Sequence, residues 1–512
     1  MENLFRVNRM FQDNMVLQRG KLIPIWGTGT PGEELSIMIQ GQTWTGKINT
    51  KGTWQIEIGP LVTSFEEEML LTSQNEQICL KNVAVGEVWI AGGQSNMEYP
   101  MKYEQHYTEE VLNCANRNLR FFDYPEVSYL GEIEEKNFVK TALWRVCDQK
   151  NMPYFSAVGY YFQKSLEEML QVPIGVIGCN WGGTPAAAWI NPEDIRNCKG
   201  KIWIEEYENT IKDLDLKQYE SDYANTPMEC KDDWVDSPVT EHMLGHIIPK
   251  EELMEIERKF QIGEIPQVPM GPKNQNRPGG LYESMLCQIA PYGLRGAIWY
   301  QGESDESKAD LYGEMFATLI QGWRKLWQEE IPFLFVQLAP YEGYSFMGGR
   351  NYPIVRHWQQ YVADHVPNTG MAVITDGGLP YDIHPKNKKI VGNRLALQAL
   401  AKVYGQNIHC ESPMISGGKW KEDSLILDVV HTAGELVLKG EEMQGLVIMQ
   451  GDKLISKYQF RLEGGQIVLW SNQWNANVET EIQVAQTAYY EINLYNKAGL
   501  PLRPGRCTVS AN

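Results

Sequence analysis

Five stretches of this chain are apolar almost without a break, and four of them stop at glycines or polar residues. They are EVWIAGG (87–93), PIGVIGCN (173–180), RGAIWYQG (295–302), PFLFVQLAP (332–340) and GMAVITDGG (370–378). A strand with one face in water alternates apolar and polar residues, whereas a strand covered on both faces does not. Between them apolar residues recur instead at a period of 3.6. From Asp310 onward, Tyr312, Met315, Phe316, Leu319, Ile320, Trp323 and Leu326 fall on one helical face. Further helices are expected near 156–170, 352–366 and 387–404. Strand, helix, strand in repetition predicts an α/β fold: a doubly wound, three-layer α/β/α domain with a parallel sheet.

Both flanks have another texture. Residues 1–85 hold short alternating runs such as WQIEI, with Trp54, Ile56 and Ile58 on one side, and predict an N-terminal β domain. Their GTGTPG (27–32) matches a nucleotide-binding glycine pattern, but Pro31 and the strand-like LSIMIQG that follows deny it a helix. Residues 406–512 predict a C-terminal β domain, with Tyr458, Phe460 and Leu462 alternating with Lys457, Gln459 and Arg461. The α/β region spans 86–405 and carries a polar, acidic, proline-broken insertion at about 200–280, expected to be an inserted subdomain or lid. Inside it, HMLGH sets His242 and His246 four apart without the glutamate of a zinc protease.

A chain of 512 residues supports more than one core. Its formal charge, 46 − 65 = −19, disfavours nucleic acid or an anionic membrane as the partner and stays compatible with a small or neutral substrate. The nine cysteines include no C-x-x-C pair, and no His, Cys, Asp and Glu cluster has ligand spacing, so neither metal nor organic cofactor is expected. MENLFRVNRMFQDNM lacks a signal-peptide layout and no apolar run approaches the ~18–20 residues of a membrane span. The expectation is a cytoplasmic chain as given, extracellular or periplasmic if a leader was trimmed. A homo-oligomer stays open.

In an open parallel sheet, ligands collect at the carboxyl ends of the strands. Those ends read Gly92-Gly93-Gln94-Ser95-Asn96, Asn180-Trp181-Gly182-Gly183-Thr184, Tyr300-Gln301-Gly302-Glu303-Ser304-Asp305, and Asp376-Gly377-Gly378 followed by Tyr381-Asp382-Ile383-His384-Pro385. Ser95 is a candidate nucleophile and His384 its base. Asp382 is a candidate for orienting the imidazole, with Asp376 and Glu303 as rivals. The N–H of Ser95, that of Gly182 or Gly183, and the Gln301 side chain are candidate oxyanion donors. The G-x-S-x-G elbow is absent because Met97 stands in the last position.

GGQSNM (92–97), GGT (182–184), WYQGESD (299–305) and DIHPKNK (382–388) resemble the four signature blocks of the sialate O-acetylesterase family, in the SGNH hydrolase superfamily and related to bacterial acetyl xylan esterases. MFQDNMVLQR, RPGGLYESML and NLYNKAGLPLRP extend the resemblance over nearly the whole chain. It implies Ser95 as nucleophile, a glycine N–H from Gly182 or Gly183, Gln301 in the oxyanion hole and His384 as base. The superfamily's last block is usually Asp-x-x-His, but here Tyr381 stands three before His384 and Asp382 only two.

Asn96, Trp181, Glu303 and Tyr381 are candidate substrate contacts, with Trp189, Tyr282 and Tyr300 as further aromatics near the blocks. A sialic acid carboxylate would need a cation, and Arg277 and Arg350 are candidates. The expected activity is carbohydrate O-acetyl ester hydrolysis through an acetyl-enzyme, by sialate O-acetylesterase chemistry on 9-O-acetyl groups. An acetyl xylan or other acetylated-glycan esterase is the enzymatic alternative, and a non-catalytic carbohydrate-binding protein the alternative of another class.

Overall fold

The computed structural model describes residues 5–512 apart from positions 75, 137, 227–230, 345 and 346. Seven strands form its central sheet: β1 (Glu76–Gly93), β2 (Asn116–Asp123), β3 (Trp144–Cys147), β4 (Ile174–Asn180), β5 (Gly296–Tyr300), β6 (Phe333–Val336) and β7 (Thr369–Ala372). Their order is β3-β2-β4-β1-β5-β6-β7, parallel throughout except for the antiparallel edge strand β3. The order turns about β1, with β4 on one side and β5 on the other. That is a topological switch point, and a crevice opens at the carboxyl ends of the flanking strands.

The strands were legible because they are buried on both faces; every residue of β4, β5, β6 and β7 is buried. Trp89 on β1 meets Phe162 edge-on at 5.1 Å, on helix α2 (Ala157–Leu170), while Trp299 on β5 meets Trp323 at 5.6 Å, on helix α3 (Tyr312–Trp327). These contacts set α2 and α3 on opposite faces. Helix α4 (Tyr352–His365) packs beside α3, and α5 (Lys389–Lys402) beside α2. The α2–α5 approach requires Gly392, since a Cβ there would lie 2.6 Å from Tyr161 Cβ and Val158 O.

Two elements differ from expectation for physical reasons. Strand β2 has the sequence NRNLRFFD, and its arginines hide it from an apolar scan. Arg120 within it is fully buried and donates to the carbonyls of Met15, Asn82 and Phe65. The guanidinium thus stitches the N-terminal strands to the sheet. The boundary expected near 85 also falls inside β1, whose first half pairs with Ser64–Ser73 and whose second half is the centre of the parallel sheet. One hydrophobic core consequently runs from Phe5 to Leu400. A separate core, from Trp420 to Val509, lies between the antiparallel strands that follow.

The insertion is helical over Lys201–Ile211, Leu216–Asn225, Lys231–Trp234, Pro238–Gly245 and Lys250–Gln261. It is pinned beside the crevice: Tyr99 donates its hydroxyl to the Leu244 carbonyl at 2.6 Å, and Tyr103 to that of Val235 at 2.9 Å. Among the described residues, no helix is long and apolar enough to cross a membrane.

Candidate active site

Strand β1 ends at Gly93, whose φ of +135° and contact with Tyr300 O, 2.2 Å from where a Cβ would stand, leave room only for glycine. In register, Gly93 lies between Asn180 of β4 and Tyr300 of β5, so three of the four polar strand ends meet here. The chain then makes the one-turn helix α1 (Ser95–Glu98), opening with Ser95. Gln94 locks this turn to the next block: its N–H donates to Tyr300 O at 3.1 Å, and its Oε1 accepts the N–H of Gly302 and Ser304 at 3.4 and 3.3 Å.

Across the crevice, the loop after β7 brings His384 back from 289 residues away, and its Nε2 lies 2.8 Å from Ser95 Oγ. The imidazole's pKa is pushed down to about 3, first by burial and then by the charges of Lys388 and Lys386. It therefore stands neutral, with a lone pair available to the hydroxyl.

Asp382 lies in the same loop but meets the backbone of His384. Its Oδ1 accepts the His384 N–H at 2.8 Å, and its Oδ2 faces Lys386 Nζ at 3.0 Å. The carboxylate thus shapes the loop that carries the imidazole. The rivals are engaged elsewhere: Asp376 makes a two-pronged pair with Arg394 at 2.6 and 2.8 Å, and Glu303 accepts from Asn96 Nδ2 at 2.6 Å.

The four candidate oxyanion donors divide. The Gly182 N–H is taken by Glu98 Oε2 at 2.7 Å. Gln301 is wholly buried and its amide donates to Asp305 Oδ2 and Thr184 O. The N–H groups of Ser95 and Gly183 have no protein acceptor among the described residues. Gly183 takes a positive φ of 71°, and a Cβ there would meet nothing within 4 Å, so it faces open space.

Residues 221–401 match the family described as carbohydrate esterase, sialic acid-specific acetylesterase. The sialate O-acetylesterase of Mus musculus is 28% identical over 448 residues, covering 80% of this chain and 76% of the relative. The Homo sapiens sialate O-acetylesterase is 27% identical, covering 80% and 73%. The chain is thus similar to sialate O-acetylesterases over most of its length and to a carbohydrate esterase family over part of it. In fold it resembles a carbohydrate acetylesterase structure from Xanthomonas citri, at a TM-score of 0.74 and 24% identity over 98% of this chain and 99% of that one.

Of the candidate substrate contacts, Tyr381 is half-exposed at the crevice, and Lys250 from the insertion holds its ammonium 4.5 Å over the ring. Trp181 is 8% exposed beside Gly182, and its backbone N–H donates to Gly93 O at 3.1 Å. Trp189 and Tyr300 are fully buried and Tyr282 nearly so. Asn96 is buried too; its Nδ2 donates to Glu303 and to Ile383 O at 2.9 Å. Asn96 and Glu303 therefore bond to each other beneath the serine. Arg277 pairs with Glu283 at 2.9 Å and Arg350 is exposed. His242 Nε2 lies 2.6 Å from Glu252 Oε1, and the described residues hold no group of three or more His, Cys, Asp or Glu side chains that could hold a metal ion.

Three residues escaped the sequence reading. Glu98, one helical turn after Ser95, was readable as its neighbour by spacing alone. Lys250 lies 131 residues from Tyr381, and only the insertion's docking brings it there. Lys388 left a signal: a lysine at the start of α5 opposes the helix dipole, which favours anions at that end.

Proposed function

We propose that this protein is a serine carbohydrate O-acetylesterase in which Ser95 attacks the acetyl carbonyl and His384 is base and then acid. The observation carrying this is the 2.8 Å contact between Ser95 Oγ and His384 Nε2 at the carboxyl ends of a parallel sheet. As Oγ bonds to the carbonyl carbon, its proton passes to Nε2, and the carbonyl oxygen becomes an oxyanion. The free N–H groups of Ser95 and Gly183 are its donors. Collapse breaks the ester bond, the imidazolium returns its proton to the departing sugar oxygen, and an acetyl group stays on Ser95. Water, deprotonated by the same nitrogen, then releases acetate. Asp382 acts here by holding the backbone of His384, and Gln301 by bracing Asp305.

The preferred substrate is a sialic acid carrying a 9-O-acetyl group. A sialate brings a carboxylate, and Lys250 over Tyr381 gives the crevice rim a cation beside an aromatic face. The mammalian relatives are named sialate O-acetylesterases. Acetate release should be measured on 9-O-acetylated sialic acid and on acetylated xylo-oligosaccharides, with Ser95→Ala alongside. The reading expects release on the sialate to exceed that on the xylo-oligosaccharide and to vanish in the variant. Equal rates on both would remove the sialate preference and leave a general sugar deacetylase. A folded parent without turnover would favour a binding protein.

A further inference from the structure

Lys388 is a fully buried lysine four residues after the base, and the reaction as derived gives it no task. Its ammonium donates to Asn96 Oδ1. The other end of that amide donates to Ile383 O at 2.9 Å and to Glu303 Oε1 at 2.6 Å. Asn96 follows the nucleophile, Ile383 precedes the base, and Glu303 opens the segment after β5. One amide thus joins three strand ends, and the lysine fixes which way that amide faces: with an N–H donor on Oδ1, only Nδ2 is left for the two acceptors.

The surroundings hold the ammonium in place. It lies 4.7 Å over the Tyr99 ring and 5.6 Å over that of Tyr300. The charged groups around it are Asp382, Glu303 and Glu104, which favour its charge, and Lys386, which opposes it. Burial outweighs these and brings the pKa down to about 7. The lysine also stands at the start of α5, where the helix dipole disfavours a cation. A cation kept in a dry, dipole-opposed position costs stability, so its presence calls for a role other than folding.

Resting on the esterase reading above, we propose that Lys388 is a positioning residue for the Ser95–His384 pair. Its ammonium orients Asn96, and Asn96 ties the serine turn to the histidine loop; the same charge faces the imidazole and discourages its protonation. The serine and histidine then meet at bonding distance without further adjustment.

The experiment uses the full chain, with p-nitrophenyl acetate as probe, and compares the parent with Lys388→Met, Asn96→Ala and the double variant. Misplacement of a reacting pair by about 1 Å costs up to ~100-fold, so Lys388→Met should lose ~10–100-fold in kcat with KM little changed. Two readouts separate positioning from a structural role. The acid limb of kcat/KM should move to higher pH in Lys388→Met, since removing a nearby cation favours the imidazolium. Its melting temperature should hold or rise below about pH 7, where the native lysine bears the cost of a buried charge. The double variant should fall no further than the worse single one, because both act through one amide. A kcat within about twofold of the parent, an unmoved acid limb, multiplying losses in the double variant, or a Lys388→Met chain that no longer melts cooperatively would each overturn the inference. A parent that releases no acetyl group would instead fail the esterase reading itself.

Discussion

An imidazole held near pKa 3 makes a sharp statement about pH. In the free enzyme kcat/KM follows the protonation state of the unliganded base. With a pKa of about 3, His384 is still ~99% neutral at about pH 5, whereas an ordinary histidine at ~6.5 would be only ~3% neutral there. A normal base thus predicts a fall of ~30-fold in kcat/KM between about pH 8 and 5, and this site predicts less than about twofold from that group. The assay is acetate release at substrate concentrations well below KM, using a neutral acetyl ester so that the substrate does not titrate, with folding followed in parallel. Stability follows the same sign. Because the folded pKa lies below the unfolded one, the unfolded chain binds the extra proton between about pH 6.5 and 3. The neutral histidine's contribution is therefore full above about pH 6.5 and is lost as pH falls toward 3. A limb in kcat/KM near pH 6.5, in a protein still folded and assigned to His384 by isotope-labelled NMR, would refute the burial and cationic surroundings from which this follows.

Asp382→Asn should cost roughly 10–100-fold in kcat, against the ~10⁴ lost when a triad acid bonded to the imidazole is neutralised, because its bond is to the His384 backbone; kcat on any acetyl ester reads this. Gln301→Met should lower kcat less than about tenfold, short of the ~10²–10³ expected of an oxyanion donor, and should lower the melting temperature because Asp305 loses one of its two buried donors and keeps only the Ala186 N–H. Gly93→Ala should destabilise by about 3 kcal/mol or more, read by denaturant unfolding, since a Cβ would strike Tyr300 O while φ stays positive.

Burial on both faces made five central strands readable, because no polar residue interrupts them, and α3 was readable from one apolar stripe. Strand β2 was not, since Arg120 is polar in sequence yet serves as an internal staple for three carbonyls. The boundary at 85 followed a change of texture, but β1 carries both textures in one backbone. Within the site, Ser95 and His384 were readable because their chemistry has few substitutes and their positions end strands. Gln301, Asn96 and Asp382 were identified as residues near the reaction, but which partner each side chain faces depends on neighbours more than a hundred residues away or on loop geometry. Trp189 and Tyr300, polar-edged aromatics beside the blocks, proved to be core for the same reason.

The central claim is that Ser95, activated by His384, is the atom that bonds to the acyl group. A fluorophosphonate that captures activated serines, followed by peptide mass spectrometry, tests it most directly. The account predicts one adduct, on Ser95, absent in Ser95→Ala, much slower to form in His384→Ala, and matched by loss of turnover. Full turnover by a protein stoichiometrically labelled at Ser95, or an inactivating adduct on another residue, would contradict it.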